Sequence, residues 1–309
     1  MSDTPQRSMT SREWGLLLLL SLLWGGSFFF VGVAVKQLPP FTIVALRVSI
    51  AAMLLWLSAP LTGLRLRLDR QTIQAYAVLG FFNNAVPFCL IVWGQTHLAS
   101  GVASILNAST PLFTVLLAPL LVTSEALTFE RLAGALCGLI GVGAMVGGDI
   151  FSGGAANGLA QFAVLGAALS YAFSSLYARR FRALGLTPIA LTTGQVTASS
   201  LMLIPTALIV DHPFDLPMPD AAAISAILAI GALSTAFAYI LYFRILAGAG
   251  ATNVVLVTLL VPASSILLGA LFLHEELAAR HFLGLALVAL GLGLIDGRPR
   301  RILLKSLQR

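Results

Sequence analysis

Ten stretches of this chain are long and apolar enough to cross a membrane, and few folds are compatible with that. They cover residues 13–35, 41–60, 71–93, 98–122, 130–148, 158–178, 188–210, 220–243, 252–273 and 280–296. A hydrocarbon core of ~30 Å takes about 20 apolar residues in a helix. The expected fold is therefore all-α and integral to the membrane, with ten transmembrane helices. Hydrophobic residues make up 58% of the chain and charged ones 10%, where a soluble domain is roughly a quarter charged. The turns between spans leave no room for a soluble domain. No cleavable signal is expected, because the first stretch is of spanning length and lacks a small-residue cleavage motif in a polar flank.

Duplication is the next constraint. The stretch from Ala108 to Met145 returns in altered form, with Pro262 under Pro111 and Glu276 under Glu125, both at a separation of 151 residues. After a one-residue deletion, Gly284, Gly291 and Gly293 fall under Gly134, Gly141 and Gly143. Earlier in the chain the separation is 148, which pairs Ser27 with Ser175, Pro40 with Pro188 and Arg47 with Gln195. The loop DHPFDLPMPD can absorb the difference. Each unit holds five spans, an odd number, so the second is expected to lie upside down relative to the first. In such inverted repeats the substrate site lies near the midplane, between the two units. The expected layout is a polar cytoplasmic tail over 1–12, a first repeat over 13–148, an external Gly-rich linker over 149–157, a second repeat over 158–296 and a basic cytoplasmic tail over 297–309.

The formal net charge is +6, but its placement points to lipid and away from nucleic acid. With the N-terminus inside, 15 basic residues face the cytoplasm, 2 (Lys36 and Arg280) face outward, and Arg47 is left in the membrane. This bias puts both termini on the cytoplasmic side of an inner (plasma) membrane, with the tail RPRRILLKSLQR against anionic lipid. Cys89 and Cys137 lie inside spans and read as small apolar residues.

A few residues inside the spans are not lipid-like. Trp24 sits about ten residues into the first span, too deep for an interfacial belt of the kind that suits Trp14 and Trp56. With Gly25 and Gly26 it serves helix packing or lines a cavity. Arg47 is the one charge well inside a span; its stem can snorkel outward, and it is either structural, pairing with Asp149, or a substrate contact. Asn83 and Asn84, Asn107 and the hydroxyls near them are either interhelical glue or cavity groups. The repeat favours the cavity, since Ser234 and Thr235 match Asn83 and Asn84, Tyr239 matches Phe88, and Thr258 matches Asn107, all at 151. Pro87 and Pro111 each free a carbonyl near the midplane. Glu125 and Thr128 suit a helix start, and the glycines from Gly134 to Gly147 suit close helix packing.

Several features together resemble the drug/metabolite transporter superfamily, specifically two tandem EamA-type domains over about 13–296. They are Trp24, Gly25, Ser27 and Phe28; Pro40 followed by Arg47; and Pro111 with Glu125, Leu127, Thr128 and the glycine run. Pro262, Glu276, Leu277 and the second glycine run repeat the last group. The resemblance implies a ten-helix, basket-shaped carrier that exports small metabolites, amino acids being a common cargo. Gln195, where the first half has Arg47, departs from strict repetition.

The candidate substrate-binding residues are Trp24, Ser27, Asn83, Asn84, Phe88, Asn107, Tyr171, Ser174, Ser234, Thr235, Tyr239 and Thr258, with Arg47 as a further candidate. Such a lining, largely apolar and dotted with neutral hydrogen-bonding groups, suits a neutral or zwitterionic solute such as an amino acid. Gly25, Gly26, Pro87, Pro111 and Pro262 are the candidate flexing points for alternating access. A sugar-phosphate or nucleotide-sugar carrier needs fixed positive charge, for which Arg47 stands alone. A small multidrug exporter relies on a membrane carboxylate in helix 1, whereas Glu13 lies at the membrane edge. An intramembrane enzyme is the remote alternative. His274, Glu275, Glu276 and His281 match no metal-binding spacing, and no paired carboxylate or Ser/His/Asp set lies at membrane depth. No cofactor or metal is expected; the partners are a small-molecule substrate and the bilayer, with a monomer as the working unit. Without an obvious titratable group in the spans, uniport or coupling through a peripheral group is expected.

Overall fold

The computed structural model describes residues 9–121, 128–152, 154–249, 254 and 256–296. Both tails beyond these bounds, and Glu125, lie outside them. The described backbone is helical, joined by turns, and carries no strand. We number the long helices α1 Ser11–Ala34, α2 Pro40–Leu57, α3 Arg70–Gln95, α4 Ser100–Leu121, α5 Phe129–Ser152, α6 Gly154–Tyr177, α7 Pro188–Val210, α8 Ala221–Leu246, α9 Val257–Leu273 and α10 Ala279–Asp296. By length and composition, 7 helices among the described residues can cross a membrane, and α9 and α10 are shorter apolar helices.

Local chemistry sets where these helices begin. Thr10 and Glu13 form a capping box at α1, Glu13 Oε2 accepting from the Thr10 N–H at 2.8 Å. Pro40 and Pro188 open α2 and α7, where the missing N–H costs nothing. Asp69 caps α3 and Asp220 caps α8, each accepting from the N–H three residues on, at 3.1 and 2.8 Å. These two aspartates are themselves 151 residues apart, a repeat pair that the polar flanks had hidden.

Helix contacts are exchanged between the two halves. α1 packs on α9 as α6 packs on α4; α1 packs on α8 as α6 packs on α3; and α2 packs on α8 as α7 packs on α3. The pairs α2 with α7, α4 with α9 and α5 with α10 join equivalent helices directly. Glycine permits the closest of these approaches. A Cβ on Gly134 of α5 would stand 2.6 Å from the Gly291 carbonyl oxygen of α10. One on Gly25 of α1 would stand 2.6 Å from Ser264 Cβ of α9, so Gly25 is a packing glycine. Large apolar side chains such as Leu57, Leu120, Ile140, Phe162 and Leu201 are exposed around the outside. In water that would be an adhesive surface; against lipid it needs no cover.

The Gly-rich segment expected to lack periodicity at 149–157 is largely helical. α5 runs to Ser152 and α6 starts at Gly154. Ala155 and Ala156 favour helix, and the apolar spans on either side extend into the segment as α5 and α6.

Candidate functional site

The polar residues of α3 and α8 sit on matching irregularities. Phe81–Ala85 in α3 and Ala232–Phe237 in α8 are π-helical turns, starting 151 residues apart. In each, a backbone N–H reaches back five residues: Val86 to the Phe81 carbonyl, Ala238 to the Leu233 carbonyl. Such bulges widen the helix and cluster at functional sites. These two carry Asn83 and Asn84 in one half and Ser234 and Thr235 in the other. The Thr235 hydroxyl donates to the Ile230 carbonyl at 2.8 Å, satisfying an acceptor the bulge leaves open.

Arg47 lies about seven residues into α2, roughly 10 Å along it at 1.5 Å per residue. It is 7% exposed and turned inward. Its Nε donates to Thr235 Oγ1 at 2.9 Å, and its guanidinium lies 3.6 Å from the Phe88 ring centroid. Tyr171 of α6 packs edge-on against the same Phe88, ring centroids 6.4 Å apart. Outward snorkelling of Arg47 does not occur, because Thr235 and Phe88 supply an inward polar acceptor and a ring face. Its expected structural partner, Asp149, has its side chain outside the described residues.

A second group adjoins the first. Asn84 Nδ2 donates to Ser199 Oγ of α7 at 3.1 Å, and the Tyr239 hydroxyl donates to Asn84 Oδ1 at 3.2 Å. Asn83 reaches Gln195 Oε1 and the Tyr239 oxygen at 3.5 and 3.4 Å, the outer edge of hydrogen-bond geometry. The single Ser199 hydroxyl proton is shared in turn between the Gln195 and Gly80 carbonyls, at 2.7 and 2.9 Å. Backbones meet here too. A Cβ on Gly80 would stand 2.7 Å from the Gln195 carbonyl oxygen, and one on its repeat mate Gly231 would stand 3.2 Å from the Arg47 carbonyl oxygen.

The structure thus joins Arg47, Asn83, Asn84, Phe88, Tyr171, Thr235 and Tyr239 through α2, α3, α6, α7 and α8. Of these helices, α7 carries none of the candidate residues and enters through Gln195 and Ser199. Trp24 packs instead on Tyr242, ring centroids 5.6 Å apart. Ser27 and Ser174 are buried in α1 and α6, and Thr258 is half-buried in the first turn of α9. Asn107 Oδ1 and the Ser234 hydroxyl are buried with no hydrogen-bond partner among the described residues. The carbonyl that Pro111 frees, that of Asn107, is met by the Thr110 hydroxyl at 2.7 Å and is not left open. There α4 breaks at Ala108 and Ser109, and Pro111 opens its second part. Pro87 lies two residues past the π turn, after Val86, and Pro262 lies inside α9. Gly26 has ordinary room, with 3.5 Å to the nearest side chain.

Sequence reasoning passed over Ser199 and gave Gln195 only as a repeat mate. Their spacing of four on α7, opposite an Asn-Asn pair, was the available signal. Glu275 belongs elsewhere: its carboxylate accepts from the N–H and hydroxyl of Ser100, at 2.9 and 2.8 Å. Among the described residues no three His, Cys, Asp or Glu side chains gather as a metal set.

An all-helical, multi-pass membrane protein with polar groups from both halves meeting in its interior has the form of a small-molecule carrier. The EamA-like transporter family matches residues 13–147 and again 158–295, and this chain belongs to that family, with two copies of its repeat. An uncharacterized transporter of Archaeoglobus fulgidus is 26% identical over 292 residues, 92% of this chain and 98% of its own length. An uncharacterized transporter of Bacillus subtilis is 22% identical, over 89% of this chain and 94% of its own. A protein of Escherichia coli named "Probable amino-acid metabolite efflux pump" is 25% identical, over 92% of this chain and 94% of its own. A solved crystal structure superposes with a TM-score of 0.66 at 19% identity, covering 95% of this chain and 99% of the other, and shares the fold.

Proposed function

We propose that this chain is an inner-membrane exporter of small neutral or zwitterionic metabolites, amino acids foremost, working by alternating access. Its ten helices act as two inverted five-helix repeats, with both termini in the cytoplasm. The observation that carries this reading is the placement of polar groups on paired π turns in α3 and α8, where the two halves meet. An amide, a phenol and a guanidinium gathered between packed apolar helices have no need to be there for folding alone. The exchanged helix contacts support a two-fold relation between halves, and the odd number of spans read in each repeat favours an inverted one. The efflux pump of Escherichia coli lends its cargo class as an analogy.

The test is efflux of radiolabelled amino acids from proteoliposomes, comparing wild type with Asn83→Ala and Asn107→Ala, with and without a pH gradient. Saturable efflux weakened by both substitutions is expected. If folded protein moves none of the amino acids, the cargo assignment is wrong; if efflux is indifferent to both substitutions, neither asparagine touches the solute.

A further inference from the structure

Arg47 is a buried cation with no counter-charge among the described residues. A guanidinium offers five N–H donors, and one is used, from Nε to Thr235. Neither terminal nitrogen has a hydrogen bond among the described residues, and no described carboxylate pairs with it. The titratable groups that face it are Tyr171 and Tyr239, and neither brings a negative charge at neutral pH. The Phe88 ring offsets only part of the cost of burying an unpaired charge. The residue is also held in place. Thr235 fixes the Nε edge, its own proton being given to the Ile230 carbonyl, and Phe88 covers one face. What is left available is the pair of terminal nitrogens, an edge shaped for a carboxylate.

We propose that Arg47 reads the carboxylate of the transported solute through those two nitrogens. This rests on the exporter reading above and narrows its cargo to solutes bearing a carboxylate. Charge across the repeats fits that cargo. At the repeat position of Arg47 stands the neutral Gln195, whose amide oxygen and the Tyr239 oxygen both lie beside Asn83. A guanidinium on one side and neutral acceptors on the other match the two ends of an amino acid. One fixed cation balances a monoanion; a doubly charged phosphate would keep an uncompensated charge in the membrane.

The experiment uses wild-type protein in liposomes and matched solutes. L-leucine, L-phenylalanine and L-threonine are each compared with their amides, which lack the carboxylate, and with the acids lacking the amino group. Expected is half-saturation roughly ten- to a hundredfold weaker for each amide than for its acid. In Arg47→Gln that discrimination is lost, and in Arg47→Lys it is partly kept. Amides carried as well as acids, or carriage of no carboxylate at all, would overturn the proposal, and the first of these would leave the exporter reading intact. Carriage of the deaminated acids alone would uphold Arg47 and sink the zwitterion reading. Because the comparison of solutes is made on wild type, it stands even if Arg47→Gln fails to fold; discrimination surviving in folded Arg47→Gln overturns the proposal.

Discussion

Glu275 closes the N-terminus of α4 by accepting from Ser100 twice, from its N–H at 2.9 Å and its hydroxyl at 2.8 Å. Asp211 does the same for α2, where the Thr42 N–H and hydroxyl donate to Oδ2 at 2.6 and 2.9 Å. Two carboxylates of the second half thereby clasp two helix starts of the first. Both clasps fall on the side that the charge bias assigns to the exterior, and under the proposed alternating access both would part as that side opens. Hydrogen bonds to charged groups contribute about 1.5–3 kcal/mol. Glu275→Ala and Asp211→Ala are expected to lower the melting temperature in detergent and to favour outward opening. Cys89, half-buried in α3 and packed against the cluster that includes Ala207, one turn before Asp211, reports on this in a Cys137→Ser background. Its alkylation by an impermeant maleimide should quicken in both variants, and an unchanged rate would mean the clasps do not gate.

Two glycines of α5 separate packing from propensity. Gly134→Ala would put its Cβ 2.6 Å from the Gly291 carbonyl oxygen, while nothing lies within 4 Å of a Cβ at Gly143. Overpacking costs about 1–3 kcal/mol, whereas Gly to Ala in open helix gains up to about 1 kcal/mol. Gly134→Ala should therefore melt lower than wild type and Gly143→Ala at or above it. Equal melting temperatures would mean α5 and α10 do not approach this closely.

Asp69 makes a pH prediction with a definite sign. Hydrogen bonds from the Thr72 hydroxyl and N–H, at 2.8 and 3.1 Å, hold its carboxyl below the ordinary carboxylate range. A lowered folded-state value means the cap stabilises above the ordinary aspartate pKa of ~3.9 and is lost as pH falls through the folded value. Asp69→Ala should melt below wild type at neutral pH, and the gap should close on acidification. Asp69→Asn, which caps without titrating, should sit near wild type and show no such trend. Melting curves from neutral pH down to about pH 3 decide it.

Much of the fold was legible because a membrane writes its demands into sequence: apolar runs of fixed length, and a duplication kept in register by Pro111 and Pro262. The helix starts at Pro40 and Pro188 were equally plain. What could not be read was how helices meet. The π turns at Phe81–Ala85 and Ala232–Phe237 insert a residue without any breaking residue inside them, so periodicity passes over them. Arg47 was recognised as unusual, but the direction it faces depends on Thr235, 188 residues away. Asn83 and Asn84 looked equivalent as neighbours, although a helix sends adjacent side chains roughly 100° apart and so to different partners.

That difference between neighbours gives the last prediction. Asn84 is fully buried and committed, donating to Ser199 at 3.1 Å and accepting from Tyr239 at 3.2 Å. Asn83 is half-buried, and its contacts at 3.4 and 3.5 Å are too long to hold it firmly. Removing Asn84 takes a donor from buried Ser199 and the acceptor from the half-buried Tyr239 hydroxyl, so Asn84→Ala should cost about 1–3 kcal/mol of stability. Asn83→Ala should leave the melting temperature within about 1 °C of wild type, since a surplus below 0.5 kcal/mol moves it little. Transport should reverse the order: Asn83→Ala weakens half-saturation while the protein stays folded, because the amide free to turn is the one a solute can engage. Should Asn83→Ala melt as low as Asn84→Ala, both amides are interhelical glue; should it melt like wild type and transport like wild type, neither amide touches the solute.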